Sequence, residues 1–115
     1  MTAQSRVVKA LAEATGLPVS TRMPEKKPQK FVLVSRIGGG ANDWATRNPR
    51  FLVECYAVSE PMAEELGEQV WEIWRRLRSS GIQYSSADNN LAFNPDPDPR
   101  LFRFQFTGSL QFRAV

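Results

Sequence analysis

The sequence predicts an α+β fold in which a mainly antiparallel β-sheet carries a short N-terminal helix and one long helix. Three observations lead to this prediction. An amphipathic pattern with helical spacing opens the chain, β-branched and aromatic runs lie on both sides of a second helical pattern, and residues 102–114 alternate strictly between apolar and polar side chains. Because the chain has 115 residues and no internal repeat, we expect residues 1–115 to form a single domain.

The first elements follow from short apolar patterns and their end signals. Residues 3–15 predict a helix that ends at Gly16, since glycine readily adopts the left-handed conformation of a helix C-cap. A short strand is expected within residues 18–23. The prolines of the next segment, residues 24–29, each remove a backbone donor and therefore predict a turn.

Two longer strands are expected in the middle of the chain. Residues 31–37 are rich in β-branched and apolar side chains, and three glycines follow them. We interpret the segment from these glycines to residue 49 as a flexible loop. Residues 51–58 form a nearly continuous apolar run, which predicts a central strand. In that strand we expect Cys55 to be a buried hydrophobic residue and Glu54 to face outward or to form a salt bridge.

The second half of the chain contains the longest helical pattern. Ser59 is a favourable N-cap, and apolar residues at helical spacing predict a helix over residues 60–79. Two short strands are expected at residues 82–84 and 91–93. The alternation in residues 102–114 predicts a long terminal strand whose phenylalanine-bearing side is packed and whose other side is polar.

The composition argues against an enzyme. The chain has no histidine and one cysteine, so it lacks the commonest general base, the commonest metal ligand and any intramolecular disulfide. The three consecutive glycines lack the Lys-Ser/Thr pair of a phosphate-binding loop, and the prolines around Asp96 and Asp98 keep that segment from wrapping a calcium ion. We therefore expect no catalytic activity, no cofactor and no metal site.

Charge and hydropathy narrow the class of partner. The net charge of +3 is too small to indicate a dedicated nucleic-acid-binding protein, and the basic residues within 22–30 are more typical of a solvated loop. The sequence has no run of about 20 apolar residues that could span a bilayer, and its first residues are too weakly hydrophobic for a signal peptide. We expect a cytosolic product without a membrane partner.

Two regions carry side chains that are typical of protein contacts. In the expected loop, glycines beside aromatic and charged residues favour a segment that is mobile in the free subunit and becomes ordered against a neighbour. Its candidate contact residues are Gly38, Gly39, Gly40, Trp44 and Arg47. In the terminal strand, Arg103 lies on the polar side, which faces either water or another subunit.

The long helix has a tryptophan on its charged side. At about 100° per residue, Trp71 lies about 140° from Leu66 of the apolar stripe, and Gly67 lies close to the same face as Trp71. Tryptophan is enriched at binding hot spots, and a glycine inside a helix indicates a close approach. Two interpretations stay open: an adjacent protein contacts Gly67 and Trp71, or a loop of the same subunit covers Trp71.

Several local patterns occur in a characteristic order along nearly the whole chain. They are Leu17-Pro18-Val19-Ser20 after the first helix, the glycine-rich end of strand 31–37, Ser59-Glu60-Pro61-Met62-Ala63 at the start of the long helix, a Pro-Asp-Pro stretch, and a terminal strand that ends near Arg113. In this order of elements the sequence resembles the tail terminator proteins of long-tailed, siphovirus-type bacteriophages, in particular those of actinobacteriophages.

The resemblance implies a structural protein of the virion, located at the head-proximal end of the tail and assembled in the host cytoplasm. It implies a homo-oligomeric ring of six subunits whose partners are the tail tube protein and the head-proximal connector or stopper protein. DNA would pass through the central channel without sequence-specific binding. Two alternatives stay open: another head-tail connector or tail-completion protein, and a small nucleic-acid-binding module that uses the basic segment 22–30 and the arginine-bearing terminal strand.

Overall fold

The computed structural model describes residues 2–43, 46–79 and 81–113, with the backbone alone for residues 40–43, 46–47 and 113. Within these ranges the chain forms two helices and six strands, which confirms the predicted α+β class. In chain order they are α1 (Ala3–Thr15), β1 (Val19–Ser20), β2 (Lys30–Asp43), β3 (Thr46–Ala57), α2 (Glu60–Trp74), β4 (Ile82–Ala87), β5 (Ala92–Phe93) and β6 (Phe102–Arg113).

The described strands belong to one sheet in the order β1-β2-β3-β6-β4. β1 pairs with β2 in parallel, and the other pairs are antiparallel, so the sheet is mainly antiparallel as the sequence predicted. Strand β6 has neighbours on both of its edges. β3 occupies one edge along most of its length, while β4 and β5 share the other edge at different positions along the strand.

Both helices cover one face of this sheet. α1 begins at the N-cap Thr2 and buries Val7 and Leu11 against the strands. In α2 the indole of Trp74 is fully buried. Its ring lies edge-on to Phe51, with centroids 5.8 Å apart, and to Phe106, with centroids 6.1 Å apart. This aromatic cluster anchors α2 across β3 and β6.

The two predictions for side chains of β3 are confirmed. Cys55 is buried among the helix-facing residues, and this burial raises the pKa of its thiol well above the ordinary value. Glu54 points to the opposite face of the sheet and forms an ion pair with Arg103 at 3.1 Å. The thiol is therefore a packing group, and the carboxylate is salt-bridged.

The face opposite the helices carries a second, smaller core. Phe31 and Tyr56 stack with nearly parallel rings whose centroids are 4.8 Å apart, and Leu33 and Leu101 complete the cluster. Residues 94–101 between β5 and β6 form a proline-rich connector. Because Leu101 ends it, this connector packs on the face that the helices leave open. At this end β2 and β3 are buried on both faces, which explains why their sequences are nearly continuous in apolar residues.

The prediction of a flexible loop from Gly38 to residue 49 is wrong. Both strands continue through it: Gly38 pairs with Arg50 and Gly39 pairs with Pro49, and the ladder extends to Asp43 and Thr46. The pairing register shifts between Arg36 and Gly38, as in a β-bulge. Gly38 and Gly39 have φ angles of 144° and 96°, so the glycines permit an irregularity in a strand and do not end it.

The long helix is shorter than the sequence predicted. The α-helix ends at Trp74, and the amide of the C-cap Arg75 still donates to Trp71 O. The two amides after it bond three residues back: Arg76 N donates to Ile73 O and Leu77 N donates to Trp74 O. This tighter turn keeps Leu77 buried although it lies beyond the helix. The apolar periodicity continues into the turn, so it could not locate the end of the helix.

The terminal strand β6 has the predicted two-sided character. Phe106, Leu110 and Phe112 are buried, whereas Phe102 and Phe104 are only half-buried. On the other side of the strand, Thr107 and its polar neighbours form side-chain hydrogen bonds.

Candidate assembly surfaces

The glycine-bearing end of the sheet contains most of the residues that the sequence marked as contact candidates. Gly38 and Gly39 are exposed at the bulge of β2, and the backbone of Gly40 pairs with Asn48. Arg47 is placed by its backbone, which pairs with Phe112 of β6. Trp44 lies outside the described residues. For residues 41–43, 46 and 47 the structure describes the backbone alone. The structure thus places Gly38, Gly39, Gly40 and Arg47 on extended strands.

The outer edge of β2 has no strand partner beyond Leu33 in the described part of the chain. β1 pairs with Val32 and Leu33 alone, and the side chain of Gln4 accepts one further bond from the backbone amide of Arg36, at 3.0 Å. Next to this amide, the side chain of Ile37 is 51% exposed. Open strand edges and exposed aliphatic side chains are features to which another chain can bind.

The two candidates on α2 are covered by their own chain. Gly67 is buried, and a Cβ at this position would lie 3.0 Å from Leu91 and 3.2 Å from Phe104. Trp71 is half-buried: its Nε1 donates to the carbonyl oxygen of Asp88 at 2.8 Å. The close approach that Gly67 indicated is therefore intramolecular. The interpretation in which a loop of the same subunit covers Trp71 is the one that the structure supports.

Arg103 lies in an ion-pair network on the face opposite the helices. Its guanidinium contacts the carboxylates of Glu54 at 3.1 Å and Asp96 at 3.7 Å, and it donates to the hydroxyl of Tyr56. It also donates to the carbonyl oxygens of Asn94 and of the following proline. With 15% of its side chain exposed, Arg103 joins the sheet to the connector. The sequence left water and another subunit open as what this side of β6 faces, and the structure places the connector of the same chain against Arg103.

A second polar cluster joins the middle of β6 to Arg50 of β3 and to Asp88, which directly follows β4. Arg50 donates to Asp88, Thr107 and Ser109, and Thr107 also donates to Asp88. These hydrogen bonds, first that of Thr107 and then that of Arg50, hold the pKa of Asp88 below its usual range. The sequence did not predict this cluster. The alternation of β6 predicted polar side chains on one side of the strand, but not their partners, which are up to 59 residues away in the chain.

Potential metal ligands do not cluster in the described part of the chain. Among the described residues, no three acidic or cysteine side chains come together as potential ligands. In the same part of the chain, neither helix combines the length and the apolar character needed to cross a membrane.

Comparison with known proteins identifies a shared fold. No protein-family model matches the sequence, and no curated protein does. The chain is similar to one chain in the solved structure of the virion of a native gene transfer agent particle, with a TM-score of 0.66 and 12% sequence identity. The match covers 96% of this chain and 94% of that chain. The two chains therefore share the architecture of the whole domain.

Proposed function

We propose that this chain is a non-enzymatic structural protein of a virion, and specifically a tail terminator that forms a ring at the head-proximal end of a phage tail. The observation that carries the proposal is the likeness to a chain of a virion particle, which extends over 96% of one chain and 94% of the other. A likeness of this extent concerns the whole domain and not a common supersecondary motif. It agrees with the resemblance of the sequence to tail terminator proteins.

The surfaces of the domain suit a subunit of a ring. A closed ring of identical subunits needs two different surfaces that are complementary to each other. The described part of the chain has an open edge at β2, at one side of the sheet, and a short edge strand, β4, at the other side. Self-assembly through such surfaces requires no catalytic group and no cofactor.

The proposed ring has six subunits and two kinds of neighbour. It caps the tail tube by contact with the tail tube protein, and it joins the tube to the head-proximal connector or stopper protein. DNA passes through its channel, and the modest net charge of +3 is compatible with passage without sequence-specific binding.

A binding experiment with isolated tail tubes tests this function. Purified chain is mixed with tubes of the corresponding particle, and the mixture is imaged by negative-stain electron microscopy. We expect a ring at one end of each tube, and we expect capped tubes to stop growing when tube protein is added. A chain that leaves tube ends bare and tube growth unchanged would contradict the proposal.

The same preparation separates the two alternatives. A head-tail connector of another type would bind DNA-filled heads and ignore tube ends. A nucleic-acid-binding module would stay small in mass photometry and would bind DNA with an affinity that falls steeply as salt is raised.

A further inference from the structure

The exposed charges of α2 and of the residues directly after it separate into an acidic part and a basic part. Four glutamates of the first three turns are exposed, and none of them forms an ion pair with another described residue. We name this set the acidic face; its members are Glu60, Glu64, Glu65 and Glu68. Three arginines, Arg75, Arg76 and Arg78, follow directly after the last helical residue, Trp74.

The helix macrodipole does not account for this separation. The dipole acts within the first and last turns of a helix, and Glu60 is the one acidic residue of the first turn, while the last turn has no basic residue. Glu64 is also four residues from both Glu60 and Glu68, and like charges at this spacing repel each other. The acidic face therefore costs the isolated subunit some stability.

The two groups of charges are too far apart to neutralise each other within one subunit. From Glu68, the member of the acidic face nearest to the arginines, the helix rises roughly 9 Å at 1.5 Å per residue to its last residue, Trp74. Salt screens exposed charges beyond about 8 Å at physiological ionic strength. Among the described residues no cation pairs with the acidic face, so contact with another molecule is needed to bring positive charge against it.

The arginines border an open groove beside the edge strand β4. The groove has a volume of about 420 Å³, and its polar lining comprises Arg75, Arg76, Arg78, Tyr84, Ser85 and Ser86. Two of the arginines are held in place: Arg78 donates to Ser85 Oγ at 2.7 Å, and Arg75 lies over the Trp71 ring at 4.8 Å.

The groove keeps a surplus of positive charge. Glu72 is the one acidic partner of the three arginines among the described residues; it pairs with Arg75 at 3.4 Å and with Arg76 at 3.6 Å. The side chain of Arg76 remains 81% exposed. Since two arginines are already positioned, little conformational freedom is lost when a carboxylate binds there.

We infer that the acidic face of α2 in one copy of this chain binds the arginine groove of the next copy. The inference rests on the proposed ring and names one of its subunit contacts. The occupant is a second copy because the charges of the acidic face complement those of the groove, and both surfaces belong to this chain. Since the two surfaces differ, the contact is head-to-tail, which is the kind that closes into rings.

Paired charge reversals test the contact. One variant carries Glu64→Lys and Glu68→Lys, and the other carries Arg75→Glu and Arg76→Glu. The matched controls reverse exposed charges elsewhere by the same amount: Glu13→Lys with Glu25→Lys, and Lys26→Glu with Lys27→Glu. Circular dichroism checks that each variant is folded, and Arg76→Glu alone replaces the arginine pair if that variant is not.

The readout is the oligomer distribution measured by mass photometry over a series of protein and salt concentrations. We expect each α2 variant alone to need at least about tenfold more protein for half-assembly, and both controls to behave like the wild type. An equimolar mixture of the two α2 variants should assemble again, because each then meets a neighbour of opposite charge. The recovered species should be a ring of alternating variants.

Failure of this inference is distinguishable from failure of the proposed function. If the wild type forms rings and the α2 variants do so equally well, the contact is wrong while the ring stands. If the wild type stays monomeric at all concentrations, the contact is likewise wrong, and tube binding alone decides the function. Recovery of a two-fold dimer in the mixture would overturn the head-to-tail arrangement.

Discussion

Trp74 fills the space that a side chain at position 108 would need. A Cβ added to Gly108 would lie 2.7 Å from Cε2 of the Trp74 indole and 3.0 Å from the carbonyl oxygen of Ser86. The same carbonyl accepts the hydrogen bond of Trp74 Nε1 at 3.0 Å. The glycine in β6 is thus required by the close packing of α2 and not by an unusual backbone angle.

This packing predicts that Gly108→Ala destabilises the fold. The added methyl group must displace a buried indole or separate β6 from β4, and overpacking of this kind costs about 1–3 kcal/mol. Urea unfolding of the two proteins measures the difference. Gly67→Ala is the comparison, because the nearest atom there is a terminal methyl of Leu91, which can rotate away, and alanine favours the helix. An equal loss from both substitutions would contradict the role of Trp74.

The Arg103 network predicts a large effect from a residue on the polar side of β6. Arg103→Met keeps the aliphatic stem but leaves the carboxylates of Glu54 and Asp96, 14% and 13% exposed, without their cation. We expect a loss of about 3 kcal/mol in unfolding free energy, the low end for a broken buried ion pair.

A neighbouring arginine provides the control for this substitution. Arg100→Met removes a side chain that is 85% exposed and that pairs with Asp98 alone in the described part of the chain. Its denaturation midpoint should match that of the wild type, since exposed ion pairs contribute little. If Arg103→Met were equally mild, the network would not fasten the connector to the sheet.

The elements with strong local signals could be predicted from the sequence. The helix expected at residues 3–15 is α1 without a change of bounds, because Thr2 and Gly16 supply both of its caps. The burial of Cys55 followed from an apolar run in a strand that is covered on both sides. In each case, residues within a few positions carried the information.

What could not be predicted depends on residues that are distant in the chain. Three consecutive glycines are compatible with a loop or with a bulged strand. The pairing of Gly39 with Pro49 shows that they belong to a strand, and this pairing is not visible in the local sequence. The helical wheel placed Trp71 among charges, but it could not show that Asp88 would accept its hydrogen bond. Strict alternation likewise could not show that the connector would cover Arg103.

The Asp88 cluster predicts a pH-dependent contribution to stability. Because the pKa of Asp88 is lowered in the folded chain, its carboxylate stabilises the fold above the unfolded pKa of about 4, and this stabilisation is lost as the pH falls through the folded pKa. The difference in unfolding free energy between wild type and Asp88→Asn should therefore be largest near neutral pH and shrink in acid. Glu25→Gln, in the exposed turn before β2, controls for the loss of one charge. A difference that stays constant with pH would contradict the ionised cluster.

The hydrogen bond of Trp71 predicts a defect in folding. Trp71→Phe keeps an aromatic ring beneath Arg75 but removes the donor to Asp88 O, which should cost about 1 kcal/mol of unfolding free energy. The folded fraction should assemble like the wild type when mass photometry is corrected for unfolded protein. Weaker assembly at an unchanged unfolding midpoint would instead place Trp71 in a subunit contact.

The bulge of β2 predicts losses of different size for substitutions at two adjacent glycines. Both Gly38 and Gly39 have positive φ angles, so alanine is strained at either position. At Gly38 an added Cβ has open space, whereas at Gly39 it would collide with the backbone of the facing strand, 2.6 Å from Cα of Pro49 and 2.7 Å from the amide nitrogen of Arg50. Gly39→Ala must therefore separate the two strands, and Gly38→Ala need not.

Hydrogen exchange measures this difference directly. In Gly39→Ala we expect faster exchange for the paired amides of β2 and β3 beyond the bulge, with unchanged protection in α1, while Gly38→Ala should lose a smaller part of that protection. If the glycine-bearing end of the sheet contributes to assembly, Gly39→Ala should also raise the concentration needed for ring formation. Equal protection in both variants would show that the strands tolerate a side chain at Gly39, and the bulge would then not depend on the close approach of Pro49.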